Sequence, residues 1–299
     1  MPHYRECPLC ASGEISLHLI CKDHFISKEN FEIYKCASCG FLFTQDHPDE
    51  NSMPRYYDSD EYISHSDTSK GISSKLYRLV RGIMLSRKRV LIQKTSVLRT
   101  GSILDIGCGT GYFGGAMKKA GWQVTGIEIN EKARSLAASR FGLNVISPVE
   151  ISVLPDHSFD IITLWHVLEH FHDPFKYFSD ISNLLKPGGV CIVALPNSNS
   201  YDAKHFKQFW AAYDVPRHLW HFDPSSFNCF LKKVGFRCEM IRNLPFDVFY
   251  ISILSEKYRG SKIFFLKGII KGKLFFLLSL FKVKRSSSII YVLRKFPGQ

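Results

Sequence analysis

The sequence predicts an α/β protein: a doubly wound, seven-stranded Rossmann-like sheet with a small zinc ribbon at the N-terminus. Two observations carry this prediction. From residue 101 onward, short apolar runs alternate with helical patterns, as in a sheet covered by helices on both faces. Before that, two Cys-x-x-Cys pairs stand within the first 45 residues. The expected organisation is a ribbon over 1–45, a connector and helix over 46–100, and the main domain over 101–299.

The N-terminal cysteines are spaced as metal ligands. Cys7-Pro-Leu-Cys10 and Cys36-Ala-Ser-Cys39 form two knuckles, and the apolar residues between them suit short β-hairpins. Two such knuckles surround a tetrahedral Zn²⁺ with four thiolates, which makes the expected site closed and structural. Four buried free cysteines are the alternative. Other donors between the knuckles could substitute as ligands: His18, Cys21 and His24.

The main domain is predicted element by element. A basic helical pattern runs from 73 to about 98 and precedes the first strand. The predicted strands are 103–106, 123–129, 144–146, 159–164, 190–195, 236 to about 241, and 289–294. The predicted helices between them are 112–120, 131–140, 174–185 and 224–234. Gly121, Gly142 and Gly235 follow helix ends, where a left-handed residue is favoured.

A glycine-rich turn follows the first of these strands. The chain reads Asp105-x-Gly107-x-Gly109-x-Gly111, and Glu128 ends the next strand. Glycines let backbone amides approach a ligand closely, and a carboxylate at that strand end can bind both hydroxyls of a ribose. A dinucleotide fingerprint would require glycine where Tyr112 stands. The motif therefore indicates a nucleotide-type ligand other than a dinucleotide.

These residues resemble the class I S-adenosylmethionine-dependent methyltransferases. The resemblance implies that S-adenosylmethionine is the cofactor and that the Gly107–Gly111 loop, including Cys108, carries its methionine part. It also assigns Asp105 to orienting the loop and the α-amino group, and Glu128, with Ile129 beside it, to the ribose. The remaining implied contacts are Val149 and Glu150 at the adenine, and Tyr112 and Trp165 facing the sulfonium. In similar enzymes the helix before the first strand covers the cofactor, although packing on the sheet edge is the alternative.

The segment after the fourth strand resembles quinone- and sugar-type O-methyltransferases. It reads Trp165-His166-Val167-Leu168-Glu169-His170, and a second matching stretch runs from Tyr213 to Phe222. An oxygen acceptor must lose a proton, and histidine suits that task, so His166 is the candidate base, with His170 as a second catalytic candidate. Glu169 and His170 could instead hold a divalent metal or merely pack. Arg217, His218 and His221 are expected to line the acceptor side, with purely structural roles as the alternative.

The charge and apolar content near the C-terminus are unusual. The net charge is +12, and residues 240–299 contain twelve Lys/Arg but only two acids. An insertion at about 244–286 combines apolar blocks with lysines, a composition typical of contact with anionic lipid. Lys271 and Lys273 point to nearly opposite sides, and Gly268 and Gly272 should weaken a continuous helix. A substrate lid or a dimer contact is therefore equally consistent with the insertion.

The leading functional hypothesis is O-methylation of a small molecule, a glycan or a glycan–lipid intermediate in the cytosol, since the N-terminus lacks a secretory pattern. An RNA methyltransferase is the alternative, because some RNA enzymes carry N-terminal zinc units and the basic tail could contact phosphates. Against RNA, the amino-methylating tetrapeptide Asn/Asp-Pro-Pro-Tyr/Phe is absent after the fourth strand. A cofactor-binding scaffold without activity is disfavoured by the intact glycine loop.

Overall fold

The structure, a computed structural model, describes residues 2–57 and 72–296. The predicted connector falls partly on residues 58–71, which lie outside the described part of the chain. The chain divides into two compact units, each built from several segments. One unit comprises residues 1–58, 168–174 and 194–291, and the other comprises 59–167, 175–193 and 292–299. The N-terminal ribbon therefore belongs to a larger unit that also contains the insertion.

The seven-stranded sheet has the predicted strands in a doubly wound order. Its members are β4 (Ser102–Ile106), β5 (Gln123–Ile127), β6 (Asn144–Ile146), β7 (Phe159–Trp165), β8 (Leu185–Pro196), β10 (Phe236–Asn243) and β11 (Ser288–Lys295). Their spatial order is β10-β11-β8-β7-β4-β5-β6. Strands β6, β5, β4 and β7 pair in parallel, so their carboxyl ends meet at one edge. The main chain-order reversal lies beside β4, which is where ligands bind in open α/β sheets.

The helices that cover this sheet also begin and end close to the predicted positions. They are α1 (Ile72–Ser96), α2 (Tyr112–Lys119), α3 (Glu131–Phe141), α4 (Pro174–Leu184) and α6 (Pro224–Lys233); the short helix α5 (Tyr201–Phe206) was not predicted. Helix α3 shows why: Asn130 accepts a hydrogen bond from the Ala133 amide at its start, and Gly142 takes φ 62° at its end. Both are the capping arrangements that satisfy helix-terminal backbone groups. Strand β8 begins earlier than predicted, at Leu185.

The ribbon is an antiparallel sheet that recruits a strand from far along the chain. Strands β1 (Ile15–Lys22), β2 (Asn30–Cys36) and β3 (Leu42–Thr44) are joined by β9 (Trp220–His221). In register, Leu42 pairs with His221 and Phe43 with Trp220. The hairpin of β1 and β2 was predicted from the sequence. The pairing with β9 was not, because a two-residue strand carries no periodic pattern.

The insertion forms two helices, α7 (Asp247–Tyr258) and α8 (Phe264–Phe281). Gly268 and Gly272, which were expected to weaken a continuous helix, both lie inside α8, which runs through them. A Cβ on Gly268 would stand 2.4 Å from Ile253 Cα, and one on Gly272 would stand 3.0 Å from Phe249 Cα. The close packing of α8 on α7 therefore requires these glycines. Within the described residues, no helix is long and apolar enough to cross a bilayer.

Candidate functional site

The glycine loop after β4 is shaped by left-handed backbone at three positions. Gly107, Gly109 and Gly111 have φ values of 71°, 53° and 81°. A Cβ at Gly107 would stand 2.3 Å from a methyl carbon of Val167, so that position must remain glycine. A Cβ at Gly109 would meet nothing within 4 Å. The loop thus leaves open space beside the partly exposed Gly109, where a ligand could approach the backbone closely.

Glu128 lies at the end of β5 beside this open space. Its carboxylate accepts hydrogen bonds from the amides of Gly109 and Asn130, both at 2.9 Å. These two bonds hold the carboxylate in place, and because the residue is only half-buried a ligand can still reach it. A carboxylate fixed in this way can still accept hydrogen bonds from adjacent hydroxyls through its remaining lone pairs.

Three other predicted cofactor contacts, Ile129 beside the ribose residue Glu128 and Val149 and Glu150 at the adenine, divide into two kinds. Ile129 and Val149 are 81% and 83% exposed, which is unusual for large apolar side chains. Glu150 has a structural task, since its carboxylate accepts the Ser147 amide in a capping box. The apolar pair fits an aromatic base, whereas the position of Glu150 is accounted for by the cap.

Asp105 is completely enclosed at the end of β4. Thr163 on the paired strand β7 donates its hydroxyl to Asp105 Oδ1 at 2.6 Å. Burial raises the pKa of Asp105 to about 7, although the hydrogen bond from Thr163 and the charge of Lys88 oppose the shift. The carboxyl is therefore poised between its charge states near neutral pH, and a nearby cation would favour the ionised form.

The aromatic side chains expected to face the sulfonium already face cations from α1. The Arg81 guanidinium lies 3.6 Å from the Tyr112 ring centroid, and Lys88 Nζ lies 3.9 Å from that of Trp165. Both rings therefore present faces that accept positive charge. Helix α1 therefore contacts residues that follow or end β4 and β7, through Arg81 and Lys88. The sequence did not identify Lys88, because one lysine in a basic helix carries no distinguishing signal.

Cys108 is part of the predicted cofactor loop. Its side chain is buried, and a Cβ on Gly126 would stand 2.6 Å from its Sγ. The thiol thus packs into the sheet. Its amide is engaged as well, since it donates to the Ile127 carbonyl at 3.0 Å.

His166 directly follows β7, in the same unit as the glycine loop. It has φ 59°, a left-handed value that side-chain-bearing residues adopt at a cost. The ring is partly exposed. Non-glycine residues held in this region often belong to functional sites, which is consistent with the predicted role of His166.

A second cluster lies within the other unit. Ligand atoms of Glu169, His170 and His218 all lie within 4.8 Å of one another, and Glu169 is fully buried. His218 Nδ1 lies 2.9 Å from the Ala212 carbonyl, and His170 Nδ1 lies 3.1 Å from the Arg217 carbonyl. Because a carbonyl only accepts, these contacts put hydrogen on Nδ1 and leave the Nε2 lone pairs available. Sequence analysis suggested Glu169 and His170 as a pair of metal ligands. It did not identify His218 as a third ligand.

The surroundings of His170 keep its ring neutral. Burial lowers its pKa to about 4, with a further contribution from His218. The Tyr57 hydroxyl lies 2.9 Å from His170 Nδ1. Sequence reasoning missed Tyr57, since only the fold brings it beside His170.

Arg217 and His221, expected either to line the acceptor side or to have structural roles, are both buried. Arg217 is 1% exposed and donates to the carboxylates of Asp23 and Asp214 and to the Tyr56 carbonyl. Burial alone would raise the pKa of Asp23, but the Arg217 guanidinium holds it at about 2. His221 is buried in β9, with Nε2 3.0 Å from the Thr44 hydroxyl. Both side chains join the ribbon to the 213–222 segment, a structural role.

The four ribbon cysteines converge. Sγ atoms of Cys7 and Cys39 are 3.6 Å apart, as are those of Cys10 and Cys36, and all four thiols are free of disulfides. Tetrahedral coordination with Zn–S bonds of about 2.3 Å places sulfurs roughly 3.8 Å apart. The arrangement therefore fits one zinc ion.

Comparisons with known proteins agree with this geometry. The sequence model of a family described as "Methyltransferase domain" matches residues 83–240, just over half of the chain. Ubiquinone biosynthesis O-methyltransferase of Psychrobacter arcticus is 38% identical over 106 residues, covering 32% of this chain and 41% of that protein. The Coxiella burnetii protein of the same name is 33% identical over 114 residues, covering 36% and 49%. The chain thus spans less than half the length of these curated relatives.

Solved structures show the same fold at low sequence identity. The 1,6-didemethyltoxoflavin-N1-methyltransferase of Burkholderia thailandensis aligns over 92% of this chain and 99% of its own, with a TM-score of 0.52 and 15% identity. Phosphoethanolamine N-methyltransferase 2 of Haemonchus contortus covers 85% of this chain and 61% of its own, with a TM-score of 0.50 and 17% identity. These likenesses concern the fold alone.

Proposed function

The chain belongs to the methyltransferase-domain family, and from that premise we propose that it transfers a methyl group from S-adenosylmethionine to an oxygen atom of a small molecule, a glycan or a glycan–lipid intermediate. The observation that carries the proposal is the open space at Gly109, bordered by the carboxylate of Glu128. The ribose hydroxyls would donate hydrogen bonds to the carboxylate oxygens of Glu128. The methionine part of the cofactor would lie along the Gly107–Gly111 backbone. The exposed side chains of Ile129 and Val149 would be covered by the adenine.

An oxygen acceptor is supported by two features. The curated relatives that match this chain are named O-methyltransferases, although each is matched over less than half its length. His166 stands at the carboxyl end of β7 in the unit that holds the glycine loop. Methyl transfer is an in-line displacement, so alignment of the acceptor and exclusion of water provide much of the rate acceleration. In this proposal His166 acts as the general base that removes the proton of the acceptor hydroxyl.

The cluster of Glu169, His170 and His218 fits a divalent cation. One carboxylate and two imidazoles suit ions such as Mn²⁺, Fe²⁺ or Zn²⁺. The Nδ1 contacts of both histidines with backbone carbonyls are the outer contacts that orient metal-binding imidazoles. When bound, such an ion supplies a Lewis acid that favours the ionised form of a hydroxyl.

Titration with Mn²⁺, followed by electron paramagnetic resonance of the free ion, tests this cation site. We expect one Mn²⁺ per chain, bound at least about tenfold more weakly after His218→Gln because one of three ligands is lost. His172→Gln is the matched control, since His172 lies close in sequence but outside the cluster. Absence of Mn²⁺ binding, or equal weakening by both substitutions, would argue against the site.

The ribbon is proposed to hold a structural zinc ion through Cys7, Cys10, Cys36 and Cys39. The sulfur–sulfur distances support it, and a closed four-cysteine site has no open position for chemistry.

The reaction is tested with methyl-labelled S-adenosylmethionine and a lysate of the native cell, separated into RNA, lipid and water-soluble fractions. We expect label in the lipid or soluble fraction, in a product that carries the labelled methyl group as a methyl ether or a methyl ester. His166→Ala should abolish that label while leaving cofactor binding intact, which separates the base from a pocket wall. Label in RNA would contradict the acceptor and favour the nucleic-acid alternative.

A further inference from the structure

In the hairpin of α7 and α8, residues 247–281, helix α8 buries mostly small residues and exposes its large apolar ones. The buried positions of α8 are Gly268, Gly272, Phe275 and Ser279, three of them small. Most large aliphatic side chains of this helix face outward instead. A helix of a water-soluble surface normally buries its apolar stripe and exposes its polar one. The opposite distribution on α8 indicates that its outer face meets an apolar surrounding.

The outward apolar face is extensive and continuous. Leu266, Ile270 and Leu277 follow helical spacing on the side opposite the glycines, and each is about half exposed. Ile269, Leu274, Leu280 and Phe281 widen the face along the whole helix. Over its 18 residues the face extends for roughly 27 Å. An exposed apolar patch of this kind marks an interaction surface.

The charges around this face are almost all positive. Residues 244–286 contain nine lysines and arginines but only two acids. One of these acids, Glu256, is buried, and its carboxylate lies 2.6 Å from Lys271 Nζ. On α8 itself, helical spacing puts the exposed Lys267 at one edge of the apolar face and the exposed Lys273 within it, between Leu266 and Leu280. Their long stems can keep both ammonium groups in water while the apolar side chains around them are inserted.

We propose that the hairpin lies on an anionic lipid bilayer, with the outer face of α8 inserted at the boundary between headgroups and acyl chains. Apolar insertion and lysine attraction to anionic headgroups together give stable peripheral binding. A second copy of the chain is a poorer occupant, because it would bring a cationic hairpin against a cationic hairpin. Charge complementarity therefore selects an anionic lipid surface.

Vesicle sedimentation with the full-length protein tests the proposal. We expect binding to vesicles containing phosphatidylglycerol, weaker binding to pure phosphatidylcholine, and loss of affinity as salt is raised. The double variant Ile270→Ser/Leu277→Ser should bind at least about tenfold more weakly, because two half-exposed aliphatic side chains no longer insert. Lys267→Gln/Lys273→Gln should lower the preference for the anionic lipid.

The matched control is Leu17→Ser/Ile20→Ser on β1. These side chains are 48% and 52% exposed, against 46% and 59% for Leu277 and Ile270, but they lie outside the hairpin. The control should bind vesicles like the unaltered chain. Equal binding by both double variants would overturn the proposal, as would a dimer in light scattering that Ile270→Ser/Leu277→Ser dissociates without any vesicle binding. Vesicle binding requires no methyl acceptor, so its outcome is independent of the proposed reaction.

Discussion

Asp105 and Glu128 end neighbouring parallel strands, yet their carboxyl groups have different environments. Asp105 is enclosed and bonded to Thr163, whereas Glu128 is half-buried and held by two backbone amides. The enclosed group changes charge near neutral pH, and the other provides two fixed acceptor oxygens. At the scale of single residues, the proposed cofactor site thus combines a carboxyl group whose charge depends on pH, Asp105, with two fixed acceptor oxygens, those of Glu128.

Replacing Glu128 with alanine should weaken S-adenosylmethionine binding by roughly tenfold, or about 1.4 kcal/mol, the value of a lost charged hydrogen bond. Isothermal titration calorimetry measures the change. Glu150→Ala is the control, because that carboxylate caps a turn and should leave affinity nearly unchanged. Unaltered affinity in Glu128→Ala would refute the ribose assignment.

Cofactor affinity should depend on pH through Asp105. The folded-state pKa of about 7 lies above the ordinary value of 3.8, and a bound ammonium group favours the ionised form. Binding therefore releases a proton below that pKa, so affinity should rise by up to about tenfold per pH unit between pH 5.5 and 7 and then level off. Calorimetry across this range should show a flat profile for Asp105→Asn.

The raised pKa of Asp105 acts in the opposite direction on the stability of the cofactor-free protein, which falls as pH rises. Between pH 4 and 7 the folded state binds more protons at Asp105 than the unfolded state does. Its contribution therefore lowers the free energy of unfolding as pH rises through this window. A cofactor affinity that fell with rising pH would contradict the assignment of Asp105.

At the scale of elements, the ribbon is tied to the 213–222 segment by a buried ion pair. Arg217 should therefore matter for stability. Arg217→Leu leaves the buried Asp23 carboxylate without its partner and should lower the free energy of unfolding by about 3–5 kcal/mol, measured by denaturant titration. Arg217→Leu with Asp23→Asn should cost less, because the fully buried Asp23 charge is then removed while its side chain can still accept the Phe25 amide, and the remaining partner, Asp214, is partly exposed. Equal losses in both variants would show that the charge pairing is unimportant.

Zinc content is the corresponding test of the ribbon itself. Metal analysis of protein purified without chelator should find about one zinc bound by the four cysteines, and Cys36→Ser should remove it. Cys21→Ser is the matched control, because that thiol is buried in the same ribbon outside the cluster, and burial raises its pKa to about 12. Zinc retained in Cys36→Ser would contradict the proposed ligand set.

At the scale of the whole molecule, the positive charge and the exposed apolar surface coincide in the α7–α8 hairpin. The net charge is +12, and the 244–286 segment alone contributes +7. Long-range attraction to an anionic surface and short-range insertion would thus act at one place. A glycan–lipid intermediate is one of the acceptor classes of the proposed reaction. Attachment of the enzyme to the lipid surface would raise the local concentration of such an acceptor.

The sequence by itself determined the fold class, the sheet strands, the glycine loop with Glu128, and the cysteine quartet. These follow from local causes: the period of apolar residues, helix-capping glycines such as Gly142, and ligand spacing within knuckles. Each signal is contained in a short stretch of chain, so no tertiary contact is needed to read it.

Only the tertiary structure decided which distant residues meet. It paired β9 with β3, placed His218 beside Glu169 and His170, and enclosed Arg217 between Asp23 and Asp214. It also kept α8 continuous, because the glycines that weaken an isolated helix allow close packing on α7. The physical reason is common to all: burial and pairing across long sequence separations depend on packing geometry, which local propensity does not encode.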